Sequence, residues 1–424
     1  MGEGEGAVEG MVSADAACRC RLCGAGLSRT FADLGVSPLA NSFIPGGAAD
    51  RMEPFYPLHA FVCTACWLVQ LREFEPPSGI FSNYLYFSSF SESWLRHAKL
   101  YADKMVRRFA LGGGSFACEV ASNDGYLLQY LQAAGVRVLG VDPARNVAES
   151  AVAKGIPTEV AFFGAETAAR LRAEHGPADL MTANNVLAHV PDIHDFAEGF
   201  HILLGERGTA TFEFPHLLRL IRENQFDTIY HEHFSYLSLG VAERLFGEHG
   251  MEVYDVEEQP THGGSLRIFV RQAAGGWDPV SPSVTALRQA ELDAGLQDPA
   301  IYDRFAAEVA GIKCEALSFL IEARRKGAHV AAYGAPAKGN TLLNYCGIGP
   351  ELIAYTVDRN PHKQGTLLPG CRLPVRGPEA IIETRPDYLV ILPWNLSEEI
   401  VGQMVAIRDW GGKFVVFIPE LRVF

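Results

Sequence analysis

The 424-residue sequence lacks several features, and each absence excludes a class of protein. It contains no run of 18 apolar residues, so we expect no transmembrane helix and no membrane partner. Its opening is rich in glycine and glutamate, without the basic start and apolar stretch of a signal peptide, which predicts a cytoplasmic protein. The net charge of −14 argues against a basic domain, so we expect no nucleic-acid partner.

Cysteine is scarce and unevenly placed. Five of the nine cysteines lie within the first 66 residues, and the odd count and uneven spacing differ from those of a secreted disulfide scaffold. A reducing compartment fits this pattern. The length and the 48% hydrophobic content exceed what one core normally organises, which predicts two or three domains.

Two C-x-x-C pairs in the first segment predict a structural zinc site. The ligands would be Cys20, Cys23, Cys63 and Cys66, with 39 residues between the pairs. Four thiolates suit tetrahedral Zn²⁺, and a small domain gains folding free energy from such an ion. Cys18 can replace Cys20 at a less usual spacing, and a redox dithiol or chance clustering remains an alternative.

A strand followed by a polar turn predicts a cofactor site. Phe116 to Ala121 has the pattern of a strand, and the turn that follows leads into a helix. Asp142 ends the next strand, 23 residues after Glu119, near the spacing at which an acid meets a ribose. The candidate cofactor-binding residues here are Glu119, Ala121, Asn123, Asp124, Gly125 and Asp142.

The composition of this turn favours S-adenosylmethionine over a dinucleotide. The turn lacks the glycines that bring a backbone against pyrophosphate, and its acidic side chains would repel phosphate. Such side chains can accept hydrogen bonds from an amino group and a ribose, and S-adenosylmethionine carries a positive sulfonium and no phosphate. An Asn or Asp that only caps a helix is the alternative.

Further along, Ala178 to Met181 predicts a strand that leads to Asn184, Asn185 and His189, at the edge where open α/β sheets bind ligands. The two asparagines are further candidate cofactor ligands. A lone histidine beside apolar residues can equally be structural. Two strands, Met251 to Pro260 and Ser265 to Arg271, are predicted to pair antiparallel and close this domain.

The segment Tyr230-His231-Glu232-His233 places two histidines around a carboxylate beside a phenol. These groups can take or give protons near neutral pH, so proton abstraction is a hypothesis for this segment. A buried polar cluster that stabilises an insertion is the alternative for any one of these residues.

The last third of the chain predicts a long helical region, Ala286 to Ala328, and then a second α/β unit. The strand Val330 to Tyr333 runs into a turn that contains Gly334, Lys338 and Asn340. Glycines, a helix N-terminus and a lysine suit an anion, so a nucleotide diphosphate can lie here. An ordinary strand-to-helix turn is the alternative. Arg267, His362 and Lys363 are further candidates for substrate binding.

These motifs together resemble the S-adenosylmethionine-dependent sugar C-methyltransferases of deoxysugar pathways, such as those of antibiotic biosynthesis. The resemblance covers nearly the whole chain and rests on the four cysteines, on the segment from Leu34 to Asn41, and on Tyr-His-Glu-His. It implies an α/β protein with a small zinc-binding N-terminal domain (1–88). A central Rossmann-like S-adenosylmethionine domain (89–275) and a C-terminal Rossmann-like, sugar-nucleotide-binding domain (276–424) would follow.

The resemblance also implies a mechanism. His233 corresponds to the proposed base, and four other residues would support it: Tyr84, His189, Tyr230 and Glu232. The base would remove a proton beside the ketone of a nucleotide-linked 4-keto sugar, dTDP type favoured, and the enolate carbon would accept the methyl group. Methylation at C3 is favoured and C5 is possible.

Two other functions remain open on the sequence. The C-terminal unit can belong to a nicotinamide-dependent oxidoreductase, which predicts nicotinamide binding and hydride transfer. A non-enzymatic zinc-ribbon interaction module would bind no cofactor and tolerate substitution of His233.

Overall fold

The computed structural model describes residues 18–76, 87–274 and 279–424. Its N-terminal part is a four-stranded antiparallel sheet, ordered β1-β3-β4-β10, in which the last strand comes from the middle of the chain. The strands in this part are β1 (Arg29–Ser37), β2 (Ile44–Pro45), β3 (Tyr56–Val62), β4 (Val69–Leu71) and the distant β10 (Ser235–Tyr236). The Tyr-His-Glu-His segment therefore leads directly into the N-terminal sheet.

A seven-stranded sheet of order β11-β12-β9-β8-β5-β6-β7 forms the central part. Its strands are β5 (Phe116–Val120), β6 (Arg137–Val141), β7 (Thr158–Glu159), β8 (Ala178–Asn184), β9 (Leu204–Pro215), β11 (Met251–Gln259) and β12 (Ser265–Gln272). Only β12 runs against both of its neighbours in this sheet. All five residues of β5 are buried, as expected for a parallel strand covered on both faces.

The helices of the central part connect these strands and cover the sheet. They are α1 (Glu92–Arg108), α2 (Leu128–Ala133), α3 (Arg145–Ala153), α4 (Ala165–His175), α5 (Ile193–Leu203), α6 (Leu217–Arg222) and α7 (Leu239–Glu248). The side chain of Ser91 caps α1 by accepting a hydrogen bond from the backbone N–H of Trp94, and two arginines at its end complement the helix dipole.

The predicted long helical region is two helices, α8 (Pro282–Asp293) and α9 (Pro299–Arg325). The break has a local cause. Gly295 adopts a φ of +83°, which ends α8, and Asp298 caps α9 through its side chain with Pro299 in the first turn. The predicted helical region therefore contains a break between Asp293 and Pro299.

The C-terminal part is a six-stranded sheet of order β16-β14-β13-β17-β18-β19, parallel except for its last strand. Its strands, together with the short β15, are β13 (Val330–Tyr333), β14 (Thr356–Val357), β15 (Thr366–Leu367), β16 (Val375–Arg376), β17 (Tyr388–Ile391), β18 (Lys413–Val416) and β19 (Arg422–Val423). Its helices are α10 (Ala337–Cys346), α11 (Glu379–Thr384) and α12 (Ser397–Gln403).

The three parts share their cores. One apolar cluster joins Phe31 of β1 to Phe305 of α9 and to the C-terminal sheet, and the two phenylalanine rings stack at 4.5 Å. A second apolar cluster joins Cys20, Cys63 and Cys66 to the central sheet. The α/β class with a cysteine-rich N-terminal domain is confirmed. Among the described residues, no helix is long and apolar enough to cross a membrane.

Candidate active site

The four predicted zinc ligands meet at one point. Their sulfur atoms all lie within 4.8 Å of one another, and the pairs Cys20–Cys66 and Cys23–Cys63 are 3.4 and 3.5 Å apart. Zn–S bonds of about 2.3 Å place the sulfurs of a tetrahedral site at roughly this separation. Four thiols and no other ligand type form a closed structural site, which fits Zn²⁺. Within the described chain, Cys18 does not belong to this group.

Each C-x-x-C pair is a tight turn that reverses the chain. Gly24 and Trp67, each following the second cysteine of its pair, have φ of +72° and +66°. The backbone N–H groups of Gly24 and Trp67 donate to the carbonyls of Cys20 and Cys63. Contact with the Cys66 thiol lowers the pKa of Cys20 to about 4, and the side chain of Gln70 donates to the Cys20 sulfur at 3.1 Å. A thiolate in this position is the form that binds zinc.

The turn after β5 carries three residues with positive φ at alternate positions. They are Ala121, Asn123 and Gly125, with φ of +57°, +50° and +76°. Such a turn normally uses glycine, because a Cβ is strained at these angles. Two of these three positions therefore carry a side chain where glycine is usual, and Asn123 supplies a polar group that glycine would not.

Buried oxygens without partners line the carboxyl ends of β5 and β8. Within the part of the chain that the structure describes, hydrogen-bond partners are lacking for Oγ of Ser122 and for Oδ1 of Asp124, Asn184 and Asn185. The buried carboxylate of Glu119 has the hydroxyl of Tyr126 as its neighbour. Burial raises the pKa of Glu119 well above its ordinary value. Unpaired buried oxygens are costly, so a bound molecule rich in donors is expected here. The adenine amino group, the ribose hydroxyls and the ammonium group of S-adenosylmethionine are donors that fit this requirement.

Two predicted cofactor residues have structural partners. Asp142 accepts hydrogen bonds from the backbone N–H groups of Asn123 and Ala144, both at 2.8 Å, so it holds the turn in place. Asp124 pairs with Lys154 at 2.8 Å and accepts a hydrogen bond from the hydroxyl of Ser89. Asp142 keeps unused lone pairs for a ribose. In Asp124 these contacts engage Oδ2, and Oδ1 is buried without a hydrogen-bond partner among the described residues.

His189 and His233 face each other with ring centroids 4.7 Å apart. Nδ1 of His233 donates to the carbonyl of Thr228 at 2.8 Å, and Nδ1 of His189 donates to the carbonyl of Glu232 at 2.7 Å. A carbonyl only accepts, so in the neutral ring both Nε2 atoms lack a proton. The ring of Tyr230 lies 4.0 Å from that of His233. This arrangement prepares Nε2 of either histidine to take a proton.

Burial keeps both rings neutral. It lowers the pKa of His189 to about 4 and that of His233 well below its usual range, where His189 and Lys338 add to the effect. A neutral His189 cannot support the base by donating from Nε2, because Nε2 donates only when the ring is protonated. The phenol hydroxyl of Tyr230 is a group that can act as a donor. Tyr84 lies outside the described residues.

Glu232 and His231 point away from this histidine pair. The carboxylate of Glu232 accepts a hydrogen bond from the side-chain amide of Asn41 at 2.7 Å, and burial raises its pKa to about 7. His231 donates from Nε2 to the carbonyl of Pro57 in β3. Glu232 therefore acts on the pair through its backbone carbonyl and through the position of the loop.

The turn after β13 brings Lys338 towards this cluster. Nζ of Lys338 donates to Asn395 at 3.0 Å and lies 4.8 Å from the Trp394 ring. The indole N–H of Trp394 donates to Asp227, a fully buried carboxylate whose pKa burial raises to about 6. Thr341 of α10 donates to the carbonyl of Ile229, next to Tyr230. Helix α10 is thus attached to the segment that carries Tyr230 and His233.

The other predicted substrate residues differ in their surroundings. At Gly334 a Cβ would meet the ring of Pro393 at 2.5 Å, and at Gly339 a Cβ would meet Cβ of Leu392 at 2.8 Å, so packing within the protein already requires both glycines. Asn340 is buried beside Cys371. Arg267 forms a buried ion pair with Glu213 at 2.5 Å, which neutralises its charge. Nζ of Lys363 donates a hydrogen bond to the carbonyl of Ala335. The backbone N–H of His362 donates to the side-chain oxygen of Asn360.

Several residues of this region were not predicted as functional. Asp227 and Trp394 belong to no recognisable motif, and only the packing of the C-terminal part on the central part joins them. His97 hydrogen-bonds the carboxylate of Glu213 at 2.9 Å. The ring of Trp94 stacks on His97 at 5.0 Å. The position of Asn41 in the Leu34–Asn41 segment was the one available signal for its contact with Glu232.

The fold and the site define a methyltransferase. A family model described as "Methyltransferase domain" matches residues 94–256, one described as "C-methyltransferase C-terminal domain" matches 260–419, and one described as "Putative zinc binding domain" matches 20–81. The C-methyltransferase NovU of Streptomyces niveus is 38% identical over 404 residues, which cover 95% of this chain and 96% of that protein. The chain belongs to this family of S-adenosylmethionine-dependent C-methyltransferases.

Solved structures are similar to a smaller share of the chain. Magnesium protoporphyrin IX methyltransferase (ChlM) from Synechocystis PCC 6803 with bound SAM is 15% identical, with a TM-score of 0.33 over 42% of this chain and 79% of that one. The CcbJ methyltransferase from Streptomyces caelestis is 13% identical, with a TM-score of 0.33 over 42% and 90%. These scores carry no weight for function. Family membership overturns both alternatives, the nicotinamide oxidoreductase and the non-enzymatic zinc-ribbon module.

Proposed function

We propose that the protein methylates a nucleotide-linked 4-keto deoxysugar at a carbon beside the ketone, C3 favoured and C5 possible, with dTDP as the favoured nucleotide. One observation carries the proposal. His233 is a buried, neutral imidazole whose Nδ1–H is fixed by a backbone carbonyl, which leaves Nε2 as a base. A cytoplasmic location remains a prediction.

His233 would remove the proton from the carbon beside the ketone, and the electron pair of that C–H bond would form the enolate. The hydroxyl of Tyr230, whose ring lies against His233, can donate to the developing enolate oxygen. The turn after β5, with Asn184, Asn185 and Asp142, would hold S-adenosylmethionine. The cofactor would supply an electrophilic methyl group to the enolate carbon, and the S–CH3 bond would break to leave S-adenosylhomocysteine.

The diphosphate of the sugar nucleotide would lie at the N-terminal end of α10. Lys338 supplies a positive charge there, and its charge is close enough to His233 to lower the pKa of that ring. The two ends of the substrate would then be held from two parts of the molecule, with the sugar at the histidine pair and the diphosphate at Lys338.

The test is His233→Ala with a 4-keto sugar nucleotide as substrate. Loss of a positioned base lowers kcat by roughly 100- to 10,000-fold, while binding of both ligands stays near the wild-type level. The matched control is His231→Gln, since His231 contacts Pro57 and faces away from the pair. We expect that variant to keep most of its kcat.

A second measurement isolates proton removal from methyl transfer. In deuterated water, with an inert analogue of the methyl donor, the wild type should exchange the carbon-bound proton of the substrate for deuterium and His233→Ala should not. Exchange by His233→Ala at the wild-type rate would assign the base elsewhere, with His189 the next candidate because its tautomer is the same.

A further inference from the structure

The zinc-binding segment carries a guanidinium that contacts both histidine-bearing loops. Arg21 lies between Cys20 and Cys23, and its side chain leaves the turn. One terminal nitrogen donates to the carbonyl of Pro191 at 2.9 Å and the other donates to the carbonyl of Leu71 at 2.5 Å. Its guanidinium carbon lies 5.4 Å from the centre of the Phe234 ring.

Two of these contacts lie within two residues of a histidine of the pair, and the third is to Leu71 of β4, which pairs with β10. Pro191 follows His189 by two residues, and Phe234 follows His233 directly. The backbone N–H of Phe234 donates to the carbonyl of Ala188 at 2.7 Å, and its carbonyl accepts from the N–H of Leu71 at 3.0 Å. Arg21 therefore spans three segments that are already joined by backbone hydrogen bonds.

The cysteine turn fixes the start of this side chain. The backbone N–H of Arg21 donates to Oε1 of Gln70 at 3.0 Å, and Nε2 of the same glutamine donates to the Cys20 sulfur at 3.1 Å. Burial lowers the pKa of Arg21, yet a guanidinium keeps its charge in proteins. A charged donor on two carbonyls is a stronger link than a neutral one.

We propose that Arg21 is a positioning residue that sets the distance and orientation of His189 and His233. It touches neither ring, so it acts through the 187–191 and 230–236 loops. The cysteine site then has a second effect besides folding, because it holds in place the side chain that fixes the catalytic pair. This inference rests on the proposed role of His233 as the base.

The chain offers a matched control two residues away. Arg19 is exposed and donates to the carbonyl of Gly24 within the same cysteine turn. Arg21→Ala and Arg19→Ala therefore remove the same side chain from the same turn, and only the first removes the contacts to the histidine loops.

The experiment measures kcat, KM, zinc content and the midpoint of thermal unfolding in both variants. We expect Arg21→Ala to lower kcat on the order of 10- to 100-fold, because small displacements of reacting groups have effects of this size. KM and zinc content should stay near the wild type, and Arg19→Ala should match the wild type throughout. Millimolar ethylguanidine should restore part of the kcat of Arg21→Ala and leave Arg19→Ala unchanged.

Three results would overturn the proposal. The first is a wild-type kcat in Arg21→Ala, and the second is an equal loss of kcat in Arg19→Ala. The third is a loss of kcat in Arg21→Ala that ethylguanidine does not relieve and that parallels a loss of zinc. If the alanine variant does not fold, Arg21→Lys decides, because an ammonium cannot reproduce the two-pronged guanidinium contact. A wild-type kcat there also overturns it. Failure of the base assignment itself is recognised separately, by an active His233→Ala.

Discussion

The central and the C-terminal sheets place a strand-to-helix turn at the same topological position, and the two turns carry opposite chemistry. The turn after β5 has buried oxygens of Ser122 and Asp124 that lack partners among the described residues, and the buried carboxylate of Glu119 lies in the strand before it. The turn after β13 has Lys338 and two glycines that packing requires. The point where strand order reverses provides a place for a ligand in both sheets. The side chains at each turn then favour a ligand of one charge: a cationic ligand at the acidic turn and an anionic ligand at the turn with the lysine.

The backbones of the two turns differ in the same way. Ala121 and Asn123 have positive φ values, at which glycine would be unstrained, yet both carry side chains. Gly334 also has a positive φ, and there is no room for a side chain at its position. We therefore propose that the turn after β5 binds its ligand with side chains. The turn after β13 would use backbone N–H groups and one lysine.

Lys338→Met is the substitution that should separate the two turns most strongly. Loss of a charge-assisted contact to a diphosphate costs about 1.5 to 3 kcal/mol, so KM for the sugar nucleotide should rise roughly 10- to 100-fold. The dissociation constant of S-adenosylmethionine, measured by calorimetry, should not change. Equal weakening of both ligands would mean that Lys338 does not belong to a separate anion site.

Asp142→Asn is the reciprocal test. It keeps one carbonyl oxygen for the turn but removes the charge and replaces an acceptor with a donor, next to Ala144 and Asn123. We expect binding of S-adenosylmethionine to weaken by about 10-fold, while KM for the sugar nucleotide stays constant. Calorimetry for the first ligand and steady-state kinetics for the second give the two numbers. An unchanged affinity for the methyl donor would remove Asp142 from the site.

The backbone contrast predicts opposite effects on stability. Gly339→Ala places a Cβ 2.8 Å from Leu392 and should lower the free energy of unfolding by about 1 to 3 kcal/mol. Ala121→Gly relieves a left-handed residue and should be neutral or stabilising by up to about 1 kcal/mol. Urea denaturation of both variants measures this. A loss of stability in Ala121→Gly comparable to that in Gly339→Ala would contradict the comparison.

The smallest expected effect is a shift in pH dependence. The pKa of His233 lies well below its usual range, so kcat/KM should fall only when the pH drops below about 6.5, the ordinary pKa of histidine. Lys338 contributes to that lowering, so in Lys338→Met the pKa of His233 should rise and the acidic limb should move to higher pH. An acidic limb that moves to lower pH would contradict the placement of Lys338.

The free energy of unfolding should also fall at acidic pH. A histidine whose pKa is lower in the folded state binds more protons when unfolded, so folding is favoured above the unfolded pKa and loses that contribution as the pH falls through the folded one. The pKa of His189 in the folded protein is about 4. We therefore expect this residue to lower the free energy of unfolding as the pH falls from about 6.5 to about 4.

Local patterns were enough for much of the fold. Three features could be recognised within short segments: the apolar run before Ser122, the acidic residues that end two strands, and the paired cysteines. Strand burial and metal-ligand spacing are local properties of the sequence. The predicted strands Val330 to Tyr333 and Ser265 to Arg271 agree with β13 and β12. The domain boundaries at 88 and 275 remain predictions.

Contacts between distant segments could not be predicted in the same way. The pairing of Asn41 with Glu232 spans 191 positions, and that of Trp394 with Asp227 spans 167. Nothing near Arg267 in the sequence indicates that Glu213 would neutralise it. These contacts depend on how three sheets pack, and a single sequence contains no local signal for that.

The sequence by itself determined which chemical groups the protein has: four thiols in two pairs, a polar ligand turn, a histidine segment and a lysine turn. The tertiary structure alone decided which of these groups act together. It selected the tautomers of His189 and His233 by supplying backbone carbonyls, turned His231 away, and placed Lys338 beside the pair. The physical reason is that pKa and hydrogen-bond direction depend on burial and on partners in space, and both exist only after the chain has folded.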